Sequence, residues 1–224
     1  MTLSVYLVVM MSKKILKPKR KMYIYCEGLK TEPLYIRDYI EEFKPDIADV
    51  FEIPPTRKNT PVQLVEEAVA KKNSKSSGPD DVFWVVYDRE SVAKYPSKLH
   101  HKAWAMAERN NINIAFSNIC FELWILLHFV NTTSPYSCCD DLLAHSQLKD
   151  CLKKIGIKKY EKGCPDLFSK IKHGIPNARK RAEKMNEHAN GFHAKETCRP
   201  YDSSCYVSVH ELLNAIDSFE RKMS

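Results

Sequence analysis

The sequence predicts an α/β fold: a mostly parallel sheet flanked by helices, followed by a basic, mostly helical C-terminal part. Three observations carry this reading. Short runs rich in β-branched and aromatic residues recur at Met22 to Cys26, Val82 to Tyr87 and Ile112 to Phe116, as in strands buried on both faces. Helical periodicity fills the intervals, and strands alternating with helices imply parallel pairing through right-handed crossovers. Beyond Asn131 the lysines and arginines crowd together. The expected organisation is a basic lead-in over 1–21, an α/β core over 22–131 and a basic helical region over 132–224 packed on that core.

The elements follow in order. Met22-Tyr23-Ile24-Tyr25-Cys26 stops at Glu27-Gly28, and Thr31-Glu32-Pro33 opens a helix running to about Phe43. Thr31 is the expected N-cap, with Pro33 in the first turn, where its missing N–H costs nothing. A strand near Val50 to Ile53 and a Pro-rich turn lead to a helix over Pro61 to Lys72, capped by Thr60. After a polar loop, Val82-Phe83-Trp84-Val85-Val86-Tyr87 ends at Asp88-Arg89-Glu90. A helix across Lys98 to Asn110 precedes the third strand, and Ser117-Asn118 should cap an apolar helix from Cys120 to Phe129. Leu148, Leu152 and Ile155 mark a basic helix. His188 to Ser204 reads as looser chain, and Val209 to Phe219 as a final amphipathic helix.

At 224 residues the chain can bury a substantial core, and its formal net charge of +7 fits a phosphate-rich partner without requiring one. Its eight cysteines include no CxxC pair, only the adjacent Cys138-Cys139 and isolated positions such as Cys198 and Cys205. Reduced thiols in a cytoplasmic protein are therefore expected, rather than a disulfide scaffold or a zinc site. Met1 to Met10 is apolar but lacks the basic segment of a signal peptide and is too short for a bilayer span, while Met11 offers a second start. Neither secretion nor a membrane span is expected.

The chemistry is concentrated at strand ends. Glu27 follows the first apolar run, and Asp88 and Glu90 follow the run at Val82 to Tyr87. Open parallel sheets bind ligands outside the carboxyl ends of their strands, and residues one apart in an extended turn project to the same side. Carboxylates crowded in this way raise one another's pKa unless a divalent cation lies between them. Hard oxygen donors favour Mg²⁺ or Mn²⁺. The plainer alternatives are a helix-start carboxylate at Glu27, worth ~0.3–1 kcal/mol, and a polar turn at Asp88 and Glu90.

Glu27-Gly28 after one strand and Asp88-Arg89-Glu90 after another resemble the Toprim domain of topoisomerases, primases and OLD-type nucleases, with Glu90 where Asp is usual. A closer resemblance, to the RloB/AbiLii family, rests on three segments in order. These are Cys26-Glu27-Gly28-Leu29-Lys30-Thr31-Glu32-Pro33, Val85-Val86-Tyr87-Asp88-Arg89-Glu90, and Ser117-Asn118-Ile119-Cys120-Phe121-Glu122-Leu123-Trp124-Ile125-Leu126-Leu127-His128-Phe129. The tail keeps Val209-His210 but has Asp202-Ser203-Ser204-Cys205 where the family tends to show Asn-Pro-Ser-Thr. The resemblance implies a Toprim-like sheet and a Mg²⁺- or Mn²⁺-dependent endonuclease cleaving RNA, with tRNA a candidate, or DNA. It also implies abortive-infection phage defence beside an ABC-type, OLD-like ATPase. The alternative is a non-catalytic adaptor whose Toprim fold binds nucleic acid or the ATPase; a primase-like nucleotidyltransferase would need further domains.

In the nuclease reading Glu27 is the general acid/base and Asp88 and Glu90 hold the metal. Glu122, costly to bury alone, is either a further metal ligand or an anchor for Arg89 or Lys30. Lys30 neutralises the scissile phosphate or is simply solvated. Glu32 extends the metal cluster or favours a helix start, Arg89 steers phosphate or pairs with the acids, and Asn118 is a helix cap or a phosphate contact. Lys153, Lys154, Lys158 and Lys159 track a nucleic-acid backbone or form a solvated face, and Tyr160 and Tyr201 could stack on bases. His128, Cys120 and Trp124 are expected in the core.

Overall fold

Successive side chains of the first strand enter two different cores, because a strand's side chains alternate faces. The computed structural model describes residues 20–57, 60–192 and 199–220. Met1 to Met10, the Met11 start, most of the basic lead-in and Cys198 lie outside the described residues. The elements are β1 (Met22–Cys26), α1 (Thr31–Phe43), β2 (Phe51–Glu52), α2 (Pro61–Lys72), β3 (Val82–Asp88), α3 (Ser97–Arg109), β4 (Asn113–Asn118) and α4 (Phe121–Leu127). Then come α5 (Cys139–His145), α6 (Leu148–Lys154), α7 (Leu167–Ile171), α8 (Ile175–Phe192), β5 (Tyr206–Val207) and α9 (Val209–Asp217).

Among the described residues the sheet runs in the order β2-β1-β3-β4-β5, parallel except for β5, which pairs antiparallel with β4. On one face Tyr23 and Tyr25, Phe83, Val85 and Tyr87, and Phe116 pack with Leu64 and Val65 of α2 and Ala103 and Ala107 of α3. On the other, Met22, Ile24, Trp84, Val86 and Ala115 belong to a larger core with α1, α4 and the helices α6 to α9. The expected α/β class, with a mostly parallel sheet, is therefore what the chain forms. No helix among the described residues is long and apolar enough to cross a membrane, and the described cysteines are free thiols.

Thr60 caps α2 as expected, its hydroxyl accepting from the Gln63 amide at 3.3 Å. Several ends move by one or two residues, and three expectations differ in kind. Thr31 is the first residue of α1 rather than its cap; its hydroxyl instead accepts from the Gly163 amide at 3.2 Å. Ser117 and Asn118 end β4 and do not cap α4, because β5 extends the ladder through Ser117↔Val207 and Asn118↔Tyr206. His188 is helical, since α8 runs on to Phe192.

Gly163 fixes the segment after α6 against the start of α1. Its φ of +84° is left-handed, and a Cβ there would lie 2.9 Å from the Lys30 Cβ. Gly163→Ala should therefore lower stability by about 1–2 kcal/mol, read as a lower urea midpoint at unchanged slope; an unshifted midpoint would mean that this contact does not anchor the segment.

Candidate functional site

The chain leaves β1 to form β2 on one side and returns through α2 to form β3 on the other. Where strand order reverses, the connections diverge and a crevice opens at the carboxyl ends. Glu27 follows β1 and Asp88 ends β3, one on each side of that crevice. The Glu27 amide still donates to the Val86 carbonyl at 2.9 Å, so the ladder carries the residue to its place. Its carboxylate accepts from the Asp88 amide at 3.3 Å and from the Tyr95 hydroxyl at 2.8 Å. An open cavity of about 360 Å³ lies here, lined by Glu27, Gly28, Glu32, Asp88, Glu90, Lys94, Tyr95 and Lys162.

Gly28 leaves open the space that the Glu32 carboxylate occupies, which a Cβ would oblige that side chain to vacate. Glu32, in the first turn of α1, thereby turns into the cavity. Glu90 takes a left-handed conformation, φ 56°, its amide donating to the Ile119 carbonyl at 3.0 Å. The Lys94 ammonium donates to its carboxylate at 2.7 Å. A neighbouring cavity of about 510 Å³ shares Glu90 and is lined by Asn118 and by Asp202, Ser203 and Ser204 of the tail.

Burial and crowding shift the acids together. Burial pushes Asp88 well above the usual carboxylate range, and Glu32, Glu122 and Glu27 add to the shift while Lys162 opposes it. Burial, then the charges of Glu122 and Glu27, raise Glu32 to about 7, against Lys162 and a backbone hydrogen bond. Glu27 is also raised, by burial, with the Tyr95 and Asp88 hydrogen bonds partly offsetting it. Burial disfavours the Lys162 cation, but Glu122, Asp88 and Glu32 outweigh this and hold its pKa above the ordinary value. Such excess negative charge fits a hard divalent cation, and Mg²⁺ commonly needs only one or two protein carboxylates besides water and phosphate.

Glu122 is fully buried at 0% exposure and lies behind the cavity rather than lining it. One carboxylate oxygen accepts from the Tyr160 hydroxyl at 3.1 Å, with the Lys162 ammonium 3.9 Å away; the other accepts from the Cys139 thiol at 3.2 Å. Neither Arg89 nor Lys30, the partners expected from sequence, takes this role. Among the described residues, Cys120, Glu122 and Cys139 bring their donor atoms within 4.8 Å of one another.

Of the two roles expected of Arg89, pairing with the acids is not what the side chain does, although it lines the neighbouring cavity with Glu90. Buried, it points away from the acids and donates to the carbonyls of Tyr201 at 2.8 Å and Tyr95 at 2.7 Å and to the Ser97 hydroxyl at 3.3 Å. Asn118 donates to the Ser203 carbonyl at 2.6 Å. Lys30 is exposed and does not line the acidic cavity, where Lys94 and Lys162 supply the positive charge. Tyr201 is buried and stacked on His100, with centroids 5.8 Å apart, which takes it out of reach of a base, while Tyr160 is half-buried against the core with its hydroxyl on Glu122. His128 is the satisfied core histidine expected, between the Trp124 carbonyl and the Tyr35 hydroxyl, each at 3.0 Å. Lys153, Lys154, Lys158 and Lys159 are exposed on α6 and the chain after it, and Lys159 pairs with Glu161 at 2.6 Å. Sequence reasoning missed Lys94, Tyr95 and Lys162; only Lys94, four residues after Glu90, carried a local signal.

A family model described as RloB-like protein matches residues 22–216. No curated protein and no solved structure matches.

The raised acids make stability depend on pH with a definite sign. A carboxyl whose folded pKa exceeds its unfolded value favours folding in its protonated form, and that contribution is lost as pH rises through the folded pKa. For Glu32 the window runs from 4.5 to about 7, and Asp88 acts in the same direction. The metal-free protein should therefore lose thermal stability across that window, and Mg²⁺ should restore more of it above pH 7 than near pH 4.5. Thermal denaturation with and without Mg²⁺ checks this; a Tm indifferent to both pH and Mg²⁺ contradicts it.

Proposed function

The chain belongs to the RloB-like protein family, and on that premise we propose that it is a Mg²⁺- or Mn²⁺-dependent nuclease. Its substrate is RNA, with tRNA a candidate, or DNA, and its setting is phage defence beside an ABC-type ATPase, as the family resemblance implies. The observation that carries the nuclease reading is the pairing of Glu27 and Asp88 across the crevice, joined by the 3.3 Å bond from the Asp88 amide and facing one carboxylate-lined cavity.

Asp88, with Glu90 and Glu32 in the same cavity, would hold the cation. A bound Mg²⁺ supplies Lewis-acid polarisation of the phosphate and a lowered water pKa. Glu27, oriented by the Tyr95 hydroxyl, takes the proton of the attacking water and returns one to the leaving oxygen. Its raised pKa suits both halves of that exchange. Lys94 and Lys162 face the same space and are the cations available to phosphate oxygens, the part that sequence reasoning gave to Lys30. The exposed lysines on and after α6 extend a basic surface for the rest of the substrate.

The direct test incubates the purified chain with Mg²⁺ or Mn²⁺ and tRNA, single-stranded DNA or plasmid, with and without the ATPase. Glu27→Gln should reduce cleavage by ~10²–10⁴-fold with the fold intact; undiminished turnover would remove Glu27 from the proton-transfer role. Replacing Lys153, Lys154, Lys158 and Lys159 by Ala should leave the chemistry in place and weaken substrate binding. The slope of log affinity against log salt should flatten by about 0.7–0.9 for each phosphate that is no longer neutralised. An unchanged slope would return these lysines to an ordinary solvated face.

A further inference from the structure

We propose that Cys120, Glu122 and Cys139 form a second cation site, taking a borderline-soft divalent ion such as Zn²⁺ rather than Mg²⁺. The inference does not depend on the nuclease reading. The three side chains come from the start of α4 and the start of α5, and their donor atoms already lie within 4.8 Å of one another. A tetrahedral ion with Zn–S near 2.3 Å and Zn–O near 2.1 Å places sulfurs about 3.8 Å apart and sulfur and oxygen about 3.6 Å apart. The Cys139 thiol stands 3.2 Å from the Glu122 carboxylate, so an ion is accommodated by shifts of well under one bond length.

The surroundings match a ligand set rather than a chance cluster. Glu122 commits one oxygen to the Tyr160 hydroxyl at 3.1 Å and turns the other toward Cys139, the outer hydrogen bond that typically orients a metal-binding carboxylate. The adjacent thiols divide their work. Cys138 caps α5, its sulfur accepting from the Asp141 amide at 3.4 Å, and this leaves Cys139 to face Glu122. Cys120 is 1% exposed and Glu122 is fully buried; the Lys162 ammonium, 3.9 Å from Glu122, faces that carboxylate, and a divalent ion between the sulfurs would supply the charge that two thiolates require. Two sulfurs and one oxygen select Zn²⁺ over Mg²⁺ by softness and leave a fourth position for water or another donor. A Cys120–Cys139 disulfide is the competing outcome, but a thiol this deeply buried is poorly suited to attack an oxidant.

The test is titration of the reduced, metal-stripped full chain with Co²⁺, a coloured substitute for Zn²⁺. A near-ultraviolet thiolate-to-cobalt charge-transfer band is expected, bleached by Zn²⁺, unaffected by excess Mg²⁺ and retained in Glu27→Gln. Cys139→Ser, at a half-buried position, should lose the band, and Tyr160→Phe should weaken affinity by about tenfold. Cys120→Ser should behave like Cys139→Ser; if that core substitution unfolds the chain, Cys139→Ser decides alone. Absence of the band in the folded parent chain, or its persistence in Cys139→Ser, overturns the proposal. So does a mass two hydrogens lower that maps to a Cys120–Cys139 disulfide in the parent chain as purified.

Discussion

Asp88 is 6% exposed at the end of a buried strand, and three glutamates act on it electrostatically: Glu32, Glu122 and Glu27. Water would solvate each charge; here Lys162, Lys94, backbone amides, hydroxyls and the Cys139 thiol soften their mutual repulsion. Much of the surrounding structure serves that arrangement. The ladder between β1 and β3 sets the spacing of Glu27 and Asp88, Gly28 clears room for the Glu32 carboxylate, and the Gly163 amide docks the segment that brings Tyr160 and Lys162 over Glu122. The same crowding that raises the acids' pKa values is the feature on which the proposed cation site rests.

The local parts of this structure were legible in the sequence. β1 and β3 are unbroken apolar runs, and the Thr60 cap and Pro61 start of α2 follow from neighbouring residues alone. Glu27 and Asp88 could be placed together because both follow apolar strands, and ligands of a parallel sheet sit outside the carboxyl ends of its strands. Asp88 and Glu90 were expected on one side, and both line one cavity, whereas Arg89 was expected near the acids and instead ties the end of β3 to the start of α3 and to Tyr201. What could not be read depends on residues distant in the chain. Tyr160 and Cys139 reach Glu122 from 38 and 17 residues away, and β5 claims Ser117 and Asn118 from near the C-terminus. Eight cysteines without a CxxC spacing argued against thiol coordination, yet folding sets two of them beside one carboxylate.

The basic C-terminal residues are part of the same argument. Leu148 and Leu152 of α6, Ala178 and Ala182 of α8 and Leu212 and Ile216 of α9 share one core with Ile36 of α1 and Leu123 of α4. Their charges are the outward face of helices whose inward face supports the sheet. A charge-rich stretch therefore identifies a surface without implying a separable module. Lys162 is the case where that surface folds back, and it does so onto the acids.

Among the described residues both margins of the sheet are short: β2 spans Phe51–Glu52 and β5 spans Tyr206–Val207. A long exposed margin offers unpaired amides and carbonyls to any passing strand and invites aggregation or strand exchange. Two-residue margins give an intruding chain almost no ladder to lengthen. Among the described residues, a neighbour therefore finds longer faces in the helical layers and in the loops above the carboxyl ends of the strands than at either margin.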